Sequence, residues 1–169
     1  VDISGNTTIG GDLAVTGTAP FVSSIEMFYP AAKGGVTTTS YNYYRPAPTI
    51  DDGEAAVCHG VAPSGFSSVS AIYAWWFKIQ DTSGGINLTC NWSAAADGQA
   101  NQTHTQNNVE LLEADAGEDF SSGTMYRSEI GRDILLDSQI AAGDAFGVGI
   151  ANSEADDCHV LGISIVWAF

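Results

Sequence analysis

Short runs of alternating apolar and polar residues are the main pattern in this chain of 169 residues. The clearest run spans residues 86–93, where one face carries Ile86, Leu88, Cys90 and Trp92. A second run follows the turn at Gly143-Asp144, and its apolar positions are Phe146, Val148 and Ile150. A period of two residues is that of a β-strand with one buried face.

Further strands are predicted where runs rich in β-branched and aromatic residues are bounded by turn residues. The strongest is Val69–Gln80, which is expected in the core. The others are Phe21–Tyr29 (ended by Pro30), Glu54–Val61, Asn107–Glu113, Tyr126–Leu136 and Val160–Phe169. In the last strand, one face is expected to hold Leu161, Ile163, Ile165 and Trp167. About eight strands joined by turns, with no convincing long helix, predict an all-β jelly-roll sandwich.

The first twenty residues differ from the rest, and we treat residues 1–20 as an extended β segment that precedes a jelly-roll domain over residues 21–169. Glycines separate the apolar positions of this segment, which include Ile3, Ile9, Leu13 and Val15. So few apolar side chains cannot form a core alone. The segment is therefore expected to serve attachment or trimerisation, by packing against other copies or the following domain.

The charge balance is strongly acidic, with 20 Asp and Glu against 5 Lys and Arg and a net charge of -15. Such a surface repels phosphate backbones and anionic lipids, which argues against nucleic-acid and membrane-surface binding. No apolar run reaches the roughly 18 residues that span a bilayer, so membrane insertion is not expected. Polarity comes mostly from Ser, Thr, Asn and Gly, as in many extracellular and virion proteins.

Two acidic groups are candidates for a metal site. Asp51, Asp52 and Glu54 form one, and Asp156 and Asp157 form the other. Hard cations such as Ca²⁺ need several oxygen ligands that converge from loops, but neither group has EF-hand spacing. Solvated loop carboxylates are the first interpretation and calcium binding is the alternative. No other cofactor is expected.

Signals for catalysis are lacking. The chain has neither a G-x-S-x-G nucleophile elbow nor a glycine-rich phosphate loop, so we predict that it is not an enzyme. Its three cysteines, Cys58, Cys90 and Cys158, cannot all pair within one chain, and buried free thiols are expected.

A long segment over Ala31–Asp52 is predicted to be a surface loop, and it contains a cluster of aromatic residues beside one cation: Tyr41, Tyr43, Tyr44 and Arg45. Loop aromatics of this kind are suited to stacking on sugar rings or filling a partner's pocket. The other interpretation is that they cover one end of the sandwich or pack against a neighbouring subunit.

The run Ile3–Thr18, I-S-G-N-T-T-I-G-G-D-L-A-V-T-G-T, resembles shaft and neck segments of tailed-phage fibre proteins, which precede a trimeric tip. The remainder is similar to a jelly-roll domain of phage virion proteins, on the aromatic run Ala74-Trp75-Trp76, the Gly143-Asp144 turn and the final strand Leu161–Trp167. Phe146–Asn152 lacks the arginine usual in that family, so any ion pair made there is missing. The resemblance implies a homotrimeric structural or adhesive component located in the virion or outside the cell.

The leading hypothesis is a structural virion protein of a phage or archaeal virus: a fibre tip, head fibre or capsid decoration. Its expected partners are its own copies, other virion proteins and a host surface glycan. Two alternatives remain. One is a carbohydrate-binding module that uses the Tyr41–Arg45 loop. The other is an extracellular filament subunit that donates Val1–Val15 as a strand to its neighbour.

Overall fold

The computed structural model describes residues 24–32, 47–79, 86–100, 104–114, 120–130, 140–154 and 156–169. These residues form the strands β1 (Ser24–Ala32), β2 (Thr49–Ile50), β3 (Ala55–Val61), β4 (Ser68–Lys78), β5 (Ile86–Ala95), β6 (His104–Ala114), β7 (Met125–Ile130), β8 (Ala145–Asn152) and β9 (Cys158–Ala168). The pairings between them are antiparallel. The predicted all-β, jelly-roll-like sandwich is therefore confirmed. Within these ranges, no helix has the length and apolar character needed to cross a membrane.

The strands form two sheets that share β1. Sheet A has the order β7-β4-β9-β1, with β2 paired to the start of β9, and sheet B has the order β6-β5-β8-β3. Residues Ser24–Pro30 of β1 pair with β9, and Ala31 and Ala32 then pair with β3. The sheet thus curls over, and its inner faces enclose a single core.

The core is built from the inner positions of both sheets. Its largest fully buried side chains include Trp76, Trp167, Leu88, Ile150 and Ile165. Burial of such a side chain contributes roughly 1.5–3 kcal/mol relative to exposure. The alternation predicted for β5 and β8 is confirmed, because Leu88, Cys90, Trp92 and then Phe146, Val148, Ile150 all lie in the core.

The predicted end of β1 at Pro30 was wrong, because the strand continues to Ala32. Pro30 lies opposite Gly162 of β9, and Ala31 already pairs with Cys58 of β3. A proline offers no N–H to a ladder and is tolerated where pairing is interrupted. Here it occupies the position at which the strand passes from one sheet to the other.

The inner face predicted for β9 also needs one correction, since Leu161 is not part of the buried core. Trp75 of β4 pairs with Gly162, whereas the next residue, Trp76, pairs with Val160. Leu161 is therefore the extra residue of a bulge. The bulge reverses the alternation, so that Val160 points inwards like Ile163.

Strand boundaries differ from the prediction at two loops. Thr49 and Ile50, placed in a loop by the sequence, form β2 against His159 and Cys158. β6 begins at His104, before the predicted strand start at Asn107. Neither segment has a clear alternation of apolar and polar residues. Each is a strand because it pairs with a neighbouring strand, β9 for Thr49 and Ile50 and β5 for His104.

Candidate functional site

The outer face of sheet A carries a cluster of aromatic and charged side chains that come from separate strands. We call this cluster the aromatic platform, and it comprises Phe28 and Glu26 of β1, Tyr73 and Trp75 of β4, Arg127 of β7, and Ser164 of β9. Tyr73 and Trp75 alternate with the buried Ile72, Ala74 and Trp76, so their rings lie on the outer side. The order β1-β9-β4-β7 brings these residues together.

Arg127 is the centre of the platform. Its guanidinium carbon lies 3.4 Å from the Tyr73 ring centre and 5.4 Å from the Trp75 ring centre. Both distances fall within the range of cation–π attraction. Its Nη2 also donates a hydrogen bond of 2.8 Å to Glu26 Oε1. The arginine therefore connects β7, β4 and β1 across the sheet.

A chain of hydrogen bonds also reaches Glu26 Oε1, the oxygen that accepts from Arg127. Trp75 Nε1 donates to Ser164 Oγ over 3.0 Å, and Ser164 Oγ donates to Glu26 Oε1 over 2.6 Å. The hydrogen bonds from Ser164 and Arg127 hold the pKa of the Glu26 carboxyl below its ordinary value. The platform therefore presents an ionised carboxylate at neutral pH.

Phe28 supplies the most exposed ring of the platform, with 52% of its surface accessible. The end of this ring lies beside Gly162 of β9, where a Cβ would be 2.7 Å from Phe28 Cζ and would collide with the Tyr29 carbonyl oxygen. Gly162 also has a φ of 157°. Only glycine fits there, and it leaves room for the Phe28 ring to lie over the sheet.

Chemically, the platform combines apolar ring faces with a fixed guanidinium and a fixed carboxylate. Ligand sites of small molecules and sugars typically have this composition, mostly apolar with a few placed polar groups. The Arg127 fork has five N–H donors, which suits planar acceptors and vicinal hydroxyl groups. No acid–base pair or nucleophile is needed for this kind of binding.

The sequence pattern does not reveal the platform, because it predicts Val69–Gln80 as a strand of the core. The signal available was the alternation of Tyr73 and Trp75 with Ile72 and Trp76. Both faces of this strand are rich in large apolar residues, so the pattern alone does not indicate which rings lie outside. Burial resolves it, since Trp76 is fully buried and Trp75 is not.

The two acidic groups predicted as metal candidates are brought together at one end of the sandwich. Asp51 and Glu54 lie in the turn before β3, and Asp157 directly precedes β9. Asp51 Oδ1 accepts from the Asp52 N–H, and Glu54 Oε2 accepts from the Asp51 N–H. Burial and the neighbouring carboxylates Asp51, Glu54 and Asp156 raise the pKa of Asp157.

Several side chains of this acidic corner have partners within the chain. In the part of the chain that the structure describes, no three His, Cys, Asp or Glu side chains are arranged to hold a metal ion. Asp156 instead forms a buried ion pair with Lys78, Oδ2 to Nζ, over 2.6 Å. Asp52 is exposed and lies on the outside of its turn. Calcium binding by these residues stays a prediction.

All three cysteines are buried and carry free thiols, as predicted. Burial raises the pKa of Cys58, Cys90 and Cys158 to about 12 in each case. A thiol in this state is a poor nucleophile and a poor metal ligand. The cysteines therefore act as core residues.

On the outer face of sheet B, the strands β3, β8 and β5 carry no Asp, Glu, Lys or Arg, whereas the edge strand β6 places Glu110 opposite Thr89 and Glu113 opposite Asn87. We call the outer face of β3, β8 and β5 the uncharged face. β3 contributes Ala55, Val57, His59 and Val61, β8 contributes Ala145, Gly147, Gly149 and Ala151, and β5 contributes Asn87, Thr89, Asn91, Ser93 and Ala95. The residues lie in cross-strand rows, such as Val57, Gly149 and Asn91.

Two sets of predicted functional residues lie outside the described residues. They are the loop cluster of Tyr41, Tyr43, Tyr44 and Arg45, and the assembly positions Ile3, Ile9, Leu13 and Val15. Both sets stay predictions.

No protein-family model and no curated protein sequence matches this chain. Among solved structures, a xylan-binding module CBM15 is similar at a TM-score of 0.51 and 16% identity, over 86% of this chain and 97% of the module. Xylanase10C from Cellvibrio japonicus in complex with xylopentaose follows at 0.47 and 16% identity, over 86% of this chain and 29% of that one. A structure of infectious bursal disease virus Gt strain matches at a TM-score of 0.42 and 11% identity, over 92% of this chain and 36% of the viral chain. At these identities, the similarity to the CBM15 module concerns the fold alone.

Proposed function

We propose that this chain is an exposed structural protein of a phage or archaeal virus particle, and that its sandwich binds a glycan on the host surface. It would form a fibre tip, a head fibre or a capsid decoration, as a homotrimer attached to other virion proteins. The fibre-like segment Ile3–Thr18 supports the attachment role. The all-β sandwich that follows supports the role of an exposed body.

The aromatic platform is the observation that carries the binding function. A pyranose ring has an apolar face of C–H groups and a rim of hydroxyl groups. The apolar face suits the exposed Phe28 ring and the half-buried Trp75 ring. Arg127 and Glu26 place a donor fork and an acceptor beside those rings. Because these rings lie on the outer face of sheet A, they do not fill the core and are available to a ligand.

Weak binding at one platform is sufficient if the protein is a homotrimer. Tethering several sites converts later contacts into intramolecular ones, so avidity can exceed the affinity of a single site by 10²–10⁴-fold. An acidic body also disfavours non-specific adhesion to anionic surfaces. Neutral or cationic glycans are therefore the expected class.

Glycan-array screening of the full chain, followed by calorimetry on the best glycan, tests the binding function. We expect Phe28→Ala and Trp75→Ala to weaken binding at least tenfold. Ile25→Ala is the matched control, because Ile25 lies on the same strand with 46% of its surface exposed but is not part of the platform. No binding across a broad array, or equal binding by Phe28→Ala and the control, would contradict the proposal.

The virion role needs its own experiment. Antibody labelling of purified particles in the electron microscope should place the protein at a fibre tip or on the capsid surface. Absence of the protein from purified particles would refute the virion role and leave the glycan-binding function untouched.

A carbohydrate-binding module attached to an enzyme is the second candidate. The similarity of the fold to a xylan-binding module favours it, together with the same platform. Affinity electrophoresis in xylan and in unrelated polysaccharides separates the two. Retention by soluble plant polysaccharide, lost in Trp75→Ala, would favour the module, whereas binding only to host-surface glycans would favour the virion protein.

A further inference from the structure

Two glycines in the middle of β8 have no explanation within their own chain. Gly147 and Gly149 are not among the glycines with positive φ in the described residues. A Cβ at Gly147 would meet no atom nearer than 3.9 Å, and one at Gly149 would meet none nearer than 3.8 Å. Glycine is disfavoured in strands and often marks the close approach of another backbone or a ligand.

These glycines lie at the centre of the uncharged face, in a shallow stripe completed by Ala145 and Ala151. Beside the stripe, β3 raises a ridge of two exposed valines, Val57 at 46% and Val61 at 59% accessible surface. Val57 is directly opposite Gly149 in the ladder. The face therefore has an apolar ridge adjacent to a groove.

Charge indicates what covers this face. The chain has a net charge of -15, so two copies repel each other over most of their surfaces. Repulsion is reduced where β3 and β8 meet, because no residue of these two strands is Asp, Glu, Lys or Arg, and Glu110 and Glu113 belong to β6 at the edge of the sheet. A basic partner would instead favour the acidic surfaces.

We infer that the uncharged face is where a second copy of this chain docks, with the valine ridge of one copy against the glycine stripe of the next. Ridge and stripe lie side by side, so every copy can offer both, as a closed homo-oligomer requires. The inference rests on the proposed homotrimer and names its interface. It also leaves the aromatic platform, on the opposite sheet, free to bind.

Light scattering on the full chain tests this interface. We expect the wild type at three times the 17.6 kDa chain mass, and Val57→Glu and Gly149→Glu at the mass of one chain. Ile25→Glu is the matched control, since Ile25 has the same exposed fraction as Val57 but lies on β1. It should keep the mass of the wild type, and circular dichroism should show that all variants are folded.

The outcomes separate the two proposals. A monomeric wild type would overturn both the homotrimer and this interface. An oligomeric wild type whose Val57→Glu and Gly149→Glu variants keep its mass would overturn the interface alone. A dimeric wild type that both variants convert to monomer would overturn the trimer and support the interface.

A cross-linking experiment covers the case in which the glutamate variants do not fold. Val57→Cys and Gly149→Cys are prepared separately, mixed, refolded together and oxidised. We expect a disulfide between the two chains that neither variant forms alone to the same extent. Absence of this product in an oligomeric mixture would refute the interface.

Discussion

The guanidinium carbon of Arg127 lies 3.4 Å from the centre of the Tyr73 ring on the outer face of sheet A. The same arginine donates a hydrogen bond to Glu26, which belongs to the strand at the other side of β9. One side chain thus connects three strands. The aromatic platform owes its arrangement to this contact.

Removal of this contact should change the titration of Glu26. We expect its pKa to rise towards the ordinary value in Arg127→Ala, and also in Ser164→Ala, because Ser164 makes the largest contribution to the lowering. A lowered carboxyl pKa stabilises the fold above the ordinary pKa, and this contribution is lost as the pH falls through the lowered value. The stability change should stay below about 1 kcal/mol, since the pair is largely exposed.

Carboxyl-detected NMR titration measures this pKa directly. Glu129→Gln on β7 is the control, because it changes a neighbouring charge without touching Glu26. A Glu26 pKa that is the same in Arg127→Ala and in the wild type would contradict the hydrogen-bonded geometry.

Lys78 should be essential for stability through its buried ion pair with Asp156. The side chains of Lys78 and Asp156 are 8% and 4% exposed, so water does not solvate either charge. Lys78→Met leaves a buried carboxylate without its cation, and we expect a loss of about 3–5 kcal/mol in the free energy of unfolding. Denaturant unfolding measures it. The double variant Lys78→Met/Asp156→Leu should recover much of the loss, and failure to do so would point to packing instead of charge.

Asp157→Asn should stabilise the protein at neutral pH. The raised pKa of Asp157 means that the folded state holds its proton more tightly than the unfolded state does. This contribution is present below the ordinary pKa of about 3.9 and is lost as the pH rises through the raised value. We expect a gain on the order of 1 kcal/mol or less at pH 7 that disappears at low pH. Thermal unfolding between pH 3 and 8 tests it, with the exposed Asp52→Asn as control.

Gly162→Ala should be poorly tolerated. Its Cβ would collide with the Tyr29 carbonyl oxygen and press on the Phe28 ring, so we expect a loss of about 1–3 kcal/mol from overpacking. Gly149→Ala is the contrast, because its Cβ meets only ordinary contacts. In the Val57→Glu background, which removes the proposed docking, that substitution should be neutral or stabilising by about 0.5 kcal/mol. Equal unfolding midpoints for the two alanine variants would contradict the close approach at Gly162.

The buried cysteines should be inert in the folded protein. With each pKa near 12, almost no thiolate is present at pH 8. We expect Ellman's reagent to label Cys58, Cys90 and Cys158 only as fast as the chain unfolds. Rapid labelling of one thiol without denaturant would show that its segment opens locally.

Much of the fold could be predicted from the sequence, because strand periodicity is a local property. The inner faces of β5 and β8 follow from a two-residue alternation that each strand carries by itself. The alternation fails at Leu161, where a bulge against β4 shifts the pattern, and the predicted strand end fails at Pro30, where β1 changes sheets. Both departures arise from pairing with a distant strand, which no local window contains.

The candidate sites, in contrast, depend on which strands become neighbours. By itself, the sequence determined an acidic all-β chain with three cysteines expected as buried free thiols and no recognisable catalytic motif. Only the tertiary structure placed Arg127 over Tyr73, Asp51 beside Asp157, and the valines of β3 next to the glycines of β8. The physical reason is that hydrogen-bonded pairing between strands far apart in the chain sets the register, and register decides which side chains share a surface.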